Sequence, residues 1–273
     1  MKIKTNSLFV PTIFLLFIIL MLSSCSHNYY APNEGNVLKL SEAEDLKISV
    51  SGNKNGKIPF GGDIKHSNLQ LGYSPIKHLG LFISHFELDE IDNRRVGNGH
   101  YTNLAVGTYY FKKKKKRPNK MIKDNRVIPG FLFDAYGGYG RGKVFNYYDE
   151  GGYSELYLRK YSLQGGLHWN GKIMEISAIY KLGILQYFKG SINLPISDRH
   201  LIQLLNIRED QIFPFSQVSL HGYLGLKNIR FYCDLSIVPS DFNDKFNYID
   251  NLLSFGVVME LDEVIRTQKN QKK

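Results

Sequence analysis

Two long runs of alternating residues fill positions 156–185. In the first, Tyr161, Leu163, Leu167 and Trp169 share one parity, and Lys160, Ser162, Gln164, Gly166 and His168 share the other. In the second, Met174, Ile176, Ala178, Tyr180, Leu182 and Ile184 alternate with a set that is largely Glu175, Ser177, Lys181 and Gly183. A period of two belongs to a strand. Asn170-Gly171 lies between them, and a type I′ turn needs positive φ at both central residues, so the runs are expected to fold as a hairpin on that pair. This places Gly166 opposite Glu175, Gln164 opposite Ser177, Leu167 opposite Met174 and Lys160 opposite Lys181.

The same sorting recurs along the chain. Residues 65–73 and 79–88 fold around a loop at 74–78, with Tyr73 opposite Leu79, Leu71 opposite Leu81 and Asn68 opposite Ser84. Residues 217–226 and 229–238 fold around Lys227-Asn228, with Leu224 opposite Phe231, Leu220 opposite Leu235, Ser219 opposite Ser236 and His221 opposite Asp234. Further strands are expected at 46–51, 101–111, 128–144 and 252–261. The chain is therefore all-β, with about ten antiparallel strands. Connections at 53–63, 89–100, 145–153, 188–213 and 239–250 are long, while 74–78, 170–171 and 227–228 are tight, with 112–127 as the exception. Within 188–213, Ser197-Asp198 before Leu201, Leu204 and Leu205 predicts one short capped helix. Residues 26–44 have no sustained period and are expected to form a tether.

Alternation alone does not say which face is inside. The non-apolar face is rich in Gly, Ser, Gln and His rather than densely charged, which suits a packed lumen with the apolar face outward. Strands near or above the roughly 9–11 residues that cross a bilayer agree, as do 18 Tyr, 17 Phe and 25 Gly. Long loops on one rim and tight turns on the other are the habit of up-and-down membrane β-barrels. Gln164, His168, Glu175, Lys181, His221 and Asp234 are then the expected polar network of the lumen. A soluble barrel or sandwich would turn the Leu163 parity inward instead.

The N-terminus bears on compartment. Lys2 and Lys4 precede an apolar stretch at 8–22, closed by Leu22-Ser23-Ser24-Cys25, the layout of a secretory signal. Losing residues 1–24 removes two lysines and no acid, taking the net charge from +10 to +8. The Leu22–Cys25 tetrad resembles the lipobox of bacterial lipoproteins, and the strand pattern over 46–261 resembles the small outer-membrane β-barrel families of Gram-negative bacteria; together they resemble proteins common in the Bacteroidetes. The resemblance implies a signal peptide at 1–24, acylation of Cys25 (palmitate included), a lipidated tether at 25–45 and a barrel at 46–261; residues 262–273 read from their own composition as a charged tail. Ser26-His27-Asn28-Tyr29 does not match the acidic signal that follows Cys in surface-exported lipoproteins of that group. The lipidated end is accordingly expected on the periplasmic, turn side of the outer membrane, with both chain ends.

Candidate chemistry is sparse. Beyond Cys25 only Cys233 remains, so no internal disulfide or cysteine metal site is expected. The eight histidines fall in no ligand spacing, and no metal or cofactor is expected. His221 and Asp234, with Ser219 and Ser236 on their face, contain the side chains of a nucleophile–base–acid set. A polar lumen that satisfies itself explains them equally, and catalysis requires the hydroxyls to reach His221 and to be accessible. Gly137-Gly138-Tyr139-Gly140 is not followed by a helix, as a phosphate loop would be. The run Lys112, Lys113, Lys114, Lys115, Lys116 and Arg117 has no interleaved aromatics, which argues against nucleic acid. It is expected to meet anionic headgroups, at roughly 1 kcal/mol per cation. Expected partners are the bilayer, through the Cys25 acyl chains and the barrel exterior, and anionic lipid or polysaccharide. The expected function is a non-enzymatic outer-membrane lipoprotein barrel with a structural or interaction role. The alternatives are a narrow solute pore, a small-ligand or soluble lipid-binding barrel, and a barrel hydrolase or acyltransferase.

Overall fold

The computed structural model describes residues 30–35, 38–57, 63–92, 95–113, 130–148, 151–171, 174–194, 201, 204–205, 207, 212–226, 229–239, 248–249 and 251–261. Ten antiparallel strands close into an up-and-down barrel in which each pairs with its chain neighbours and the first with the last. They are β1 (Leu46–Lys57), β2 (Asp63–Tyr73), β3 (Leu79–Asp92), β4 (Arg95–Lys113), β5 (Gly130–Tyr147), β6 (Tyr153–Asn170), β7 (Met174–Asn193), β8 (Ile212–Leu226), β9 (Ile229–Ile237) and β10 (Asn251–Glu260). Leu204 and Ile207, in the helical turn expected between β7 and β8, are buried in the lumen's apolar packing.

The β8–β9 register is the expected one, with Leu224 opposite Phe231, Ser219 opposite Ser236 and His221 opposite Asp234. Two other registers differ. In β6–β7, Asn170 pairs with Glu175, His168 with Ser177, and Gln164 with Lys181. Gly171 N–H bonds to Met174 O at 3.0 Å, so the hairpin closes beyond Asn170-Gly171 rather than on it. Asn170 is inward and buried at the end of β6, and the added pairs extend the ladder. In β2–β3, Tyr73 meets Leu81 and Gln70 meets Ser84. Both shifts are even, so every side chain keeps its face. The connection expected at 89–100 shrinks to two residues because β3 and β4 stay paired from Leu88–Gly99 to Asp92–Arg95.

The faces lie as the polar parity predicted. Leu163 is 70% exposed on the outside, and Gln164 behind it is 6% exposed. On β5 and β6 the outward residues are apolar or small over 131–139 and 161–169, a span of nine residues each. With strands tilted as in such barrels, that is a belt roughly 20–25 Å tall. Past its upper edge the parity inverts. Glu155, Tyr157 and Arg159 face out, while Leu156 and Leu158 are buried inside. There β6 carries a polar outer face over an apolar inner one.

The expected tether is a correction. Tyr30, Asn33, Glu34, Leu38, Lys39 and Leu40 are all buried, because the segment before β1 runs through the lumen. At one end Ile249 N–H donates to Tyr30 O at 2.8 Å, on the β9–β10 connection. At the other, Glu44 N–H donates to Ser74 O at 2.7 Å, in the β2–β3 turn. This strap therefore spans rim to rim. Tyr30, the first described residue, therefore lies at the long-connection rim, whereas the chain start was expected on the turn rim. Cys25, residues 1–24 and 262–273, and Lys114, Lys115, Lys116 and Arg117 lie outside the described residues; Lys112 ends the described outward face of β4.

Candidate functional site

The interior is layered. Near the long-connection rim, Tyr30 packs with Leu156, Leu185, Tyr187, Phe213 and Phe215. Near the turn rim, Leu38 and Leu40 pack with Phe82, Tyr109, Tyr136 and Tyr232. A polar band lies between, and it grips the strap by its backbone. Gln217 donates to Asn33 O (2.7 Å), Lys181 to Glu34 O (3.4 Å), Gln70 to Gly35 O (3.0 Å) and Lys47 to Lys39 O (2.6 Å). Between Asn33 and Lys39 the described strap residues join no ladder, so side chains take these carbonyls, which explains amides and amines on the inner face.

Strap side chains complete the band. The Glu34 carboxylate accepts hydrogen bonds from Ser51 Oγ (2.5 Å), Asn68 Nδ2 (2.9 Å) and Tyr232 OH (2.9 Å). Lys39 pairs with Glu175 at 2.8 Å, and Arg230 links Glu175 to Glu260 at 3.1 and 3.0 Å. Lys47 closes this alternating chain on Glu260 at 3.1 Å. Lys160 does not sit opposite Lys181 as expected. It donates to Tyr30 OH (2.9 Å) and Asn33 Oδ1 (2.8 Å), with its ammonium 4.6 Å from the Phe215 ring centre. Aromatic faces and two oxygens hold that cation. A cavity of about 50 Å³ lies beside it, between the strap and the β3–β6 wall.

All six expected lumen residues, Gln164, His168, Glu175, Lys181, His221 and Asp234, are inward and buried. The sharpest catalytic candidate does not assemble. His221 Nε2 lies 3.1 Å from Asp234 Oδ1 but out of line for a hydrogen bond. Ser236 Oγ donates to Asp234 (2.9 Å) and lies 2.7 Å from Ser219 Oγ, so neither hydroxyl is directed at His221. A different triplet has the right connectivity. His168 bonds Asp134 Oδ2 through Nε2 (2.8 Å) and Ser177 Oγ through Nδ1 (2.8 Å). It went unseen because the Asn-Gly turn set Gln164, not His168, against Ser177, and Asp134 comes from β5. Serine and histidine there are both fully buried, so no substrate reaches the hydroxyl while the strap is in place. Among the described residues, no group of three metal-ligating His, Cys, Asp or Glu side chains is gathered.

No protein-family model matches the chain, and no curated protein matches it. Solved structures similar to it include LpxR from Salmonella typhimurium, at 13% identity and a TM-score of 0.33 over 79% of this chain and 99% of that one. A deltaS2 mutant of the TodX monoaromatic hydrocarbon channel is similar at 8% identity and a TM-score of 0.25, over 81% and 90% of the two chains. A bacterial polysaccharide outer membrane secretin is similar at 8% identity and a TM-score of 0.22, over 81% and 99%. At such scores no residue role passes from these proteins to this chain.

Proposed function

We propose that this protein is an outer-membrane lipoprotein whose barrel is sealed by its own N-terminal strap, serving a structural or interaction role in the envelope rather than acting as an open pore or a lumenal enzyme. Membrane residence is supported by the continuous outward apolar belt, far larger than the few hundred Å² of contiguous apolar surface that soluble monomers expose. The observation that carries the functional reading is the strap itself. Its described residues from Tyr30 to Leu40 occupy the lumen and use the polar side chains a solute would need. Cys25, five residues before Tyr30, then carries its acyl chains on the long-connection side. Turns face the periplasm in such barrels, so on this reading the lipid sits at the outer face of the membrane, reversing the periplasmic expectation.

Three measurements test this reading. The membrane fraction should contain a band whose migration in detergent changes on heating, and palmitate labelling should vanish in Cys25→Ala. Wild-type protein in planar bilayers should not conduct, whereas a chain lacking residues 26–43 should, with heat-modifiable migration verifying its fold. Steady conductance by the wild type would overturn the sealed reading.

A further inference from the structure

Above the belt, the outer wall of β5 and β6 places two arginines directly opposite each other, Arg141 and Arg159. Like charges in register repel across a sheet unless something of opposite sign lies between them. Neither arginine forms an ion pair among the described residues. Arg141 donates to Tyr139 OH (2.5 Å), and Arg159 stacks 4.1 Å over Phe188, leaving its Nε buried without an acceptor. One row further out, Lys143 and Lys189 flank Tyr157, and Glu155 takes up Lys143 at 3.1 Å. Among the described residues the ledge thus carries four cations against a single carboxylate, and its guanidiniums present forked donors of the geometry that suits phosphate.

Directly below the ledge, the outer wall is hollowed. Tyr139 and Tyr161, 5.2 Å apart, form its upper lip. Gly137, Leu163 and Leu182 line the groove beneath them, and it continues past Ala135 and Gly165. The inner row behind it is Ala105, Gly138, Ser162 and Gly183, small residues that do not prop the wall outward. From the Gly137–Leu163 row to the arginine row is four residues, roughly 13 Å along the strands. We propose that this groove and ledge form a binding site for one bilayer lipid carrying a phosphate on its headgroup, with an acyl chain along Gly137 and Leu163 and the phosphate between Arg141 and Arg159. The site rests on the barrel being embedded in a membrane.

The test uses full-length protein in nanodiscs of phosphatidylcholine with or without phosphatidic acid, with retained lipid counted after detergent exchange. Wild type retains phosphatidic acid selectively. Arg141→Gln with Arg159→Gln lowers that retention at least about tenfold, since hydrogen bonds to a charged group are lost at two positions. Gly137→Leu, where an added Cβ meets only Leu163 at 3.8 Å, lowers it while preserving the fold. Heat-modifiable migration of each sample reports membrane folding separately, so loss of the barrel is not mistaken for loss of the site. Retention unchanged by the double substitution overturns the proposal. So does displacement of the lipid by inorganic phosphate at equal concentration, which would make the ledge an anion site with no part for the groove.

Discussion

At the scale of single residues, the Glu34 carboxylate and the missing side chain of Gly35 are two of the features that seat the strap. Glu34, itself buried, collects three donors. Replacing it by alanine leaves Ser51, Asn68 and Tyr232 without their acceptor, and each unsatisfied buried group costs about 1–3 kcal/mol. Glu34→Ala should lower the unfolding free energy in detergent by roughly 3 kcal/mol or more, while Glu34→Gln, which keeps one acceptor oxygen, should lose less. Equal losses from the two would show that the carboxylate's hydrogen bonds are not what matters. Gly35 illustrates close approach: a Cβ there would stand 2.9 Å from Ile179 Cδ1 and 3.4 Å from His221 Nε2. Alanine is tolerable because the Ile179 tip can turn. The branched side chain of Gly35→Val should cost about 1–3 kcal/mol by overpacking, and Ile179→Ala should recover part of it. A double-mutant cycle reads that coupling, and additive losses would place the strap elsewhere.

Secondary-structure elements show what the sequence could and could not disclose. Parity was legible throughout because burial has a period of two on a wall with two different sides. Register was legible in β8–β9, where Lys227-Asn228 allowed one pairing that matched His221 to Asp234 and Ser219 to Ser236. It misled in β6–β7, where an Asn-Gly pair in a strand end has the composition of a turn. An even slip preserves every face, so the pattern offers no check against it. The consequence is testable by cross-linking. With Cys233→Ala, cysteines at Leu163 and Leu182 should join under oxidation or with a short bifunctional thiol reagent, since these residues are direct partners. Cysteines at Leu163 and Ala178, partners in the Asn-Gly register, lie about 14 Å apart along the strands and should not. The strap was illegible for a related reason. Leu38, Lys39 and Leu40 are buried in succession, so a segment enclosed on all sides has no wet face to imprint an alternation. The inversion at Arg159-Lys160 was present in the sequence, because Leu156 and Leu158 share the parity of Lys160 and Gln164. Its meaning, that the barrel rises out of the belt, needed the wall to be seen.

For the whole molecule, the direction of the strap sets the rim at which Tyr30 stands. β1 starts at the turn rim beside Tyr73, and the carboxyl end of β10 lies there too. The strap crosses the lumen once, so its upstream end is at the opposite rim, fastened to Tyr248-Ile249. That fastening point stands over the short strands β9 and β10, of nine and ten residues, where the wall is low compared with the 18–20 residues of β5–β7. The five-residue step from Tyr30 back to Cys25 spans at most about 17 Å. A lipid there would enter the bilayer over the low wall and would not have to climb the tall one. An epitope inserted between Ser26 and His27 should therefore bind antibody on intact cells, while the same epitope inserted at Ile76, in the β2–β3 turn, should bind only after the outer membrane is permeabilised. Both insertions must retain heat-modifiable migration. The reverse pattern would mean that the turn rim faces outward. Protection of both sites in intact cells would overturn the outer-face placement.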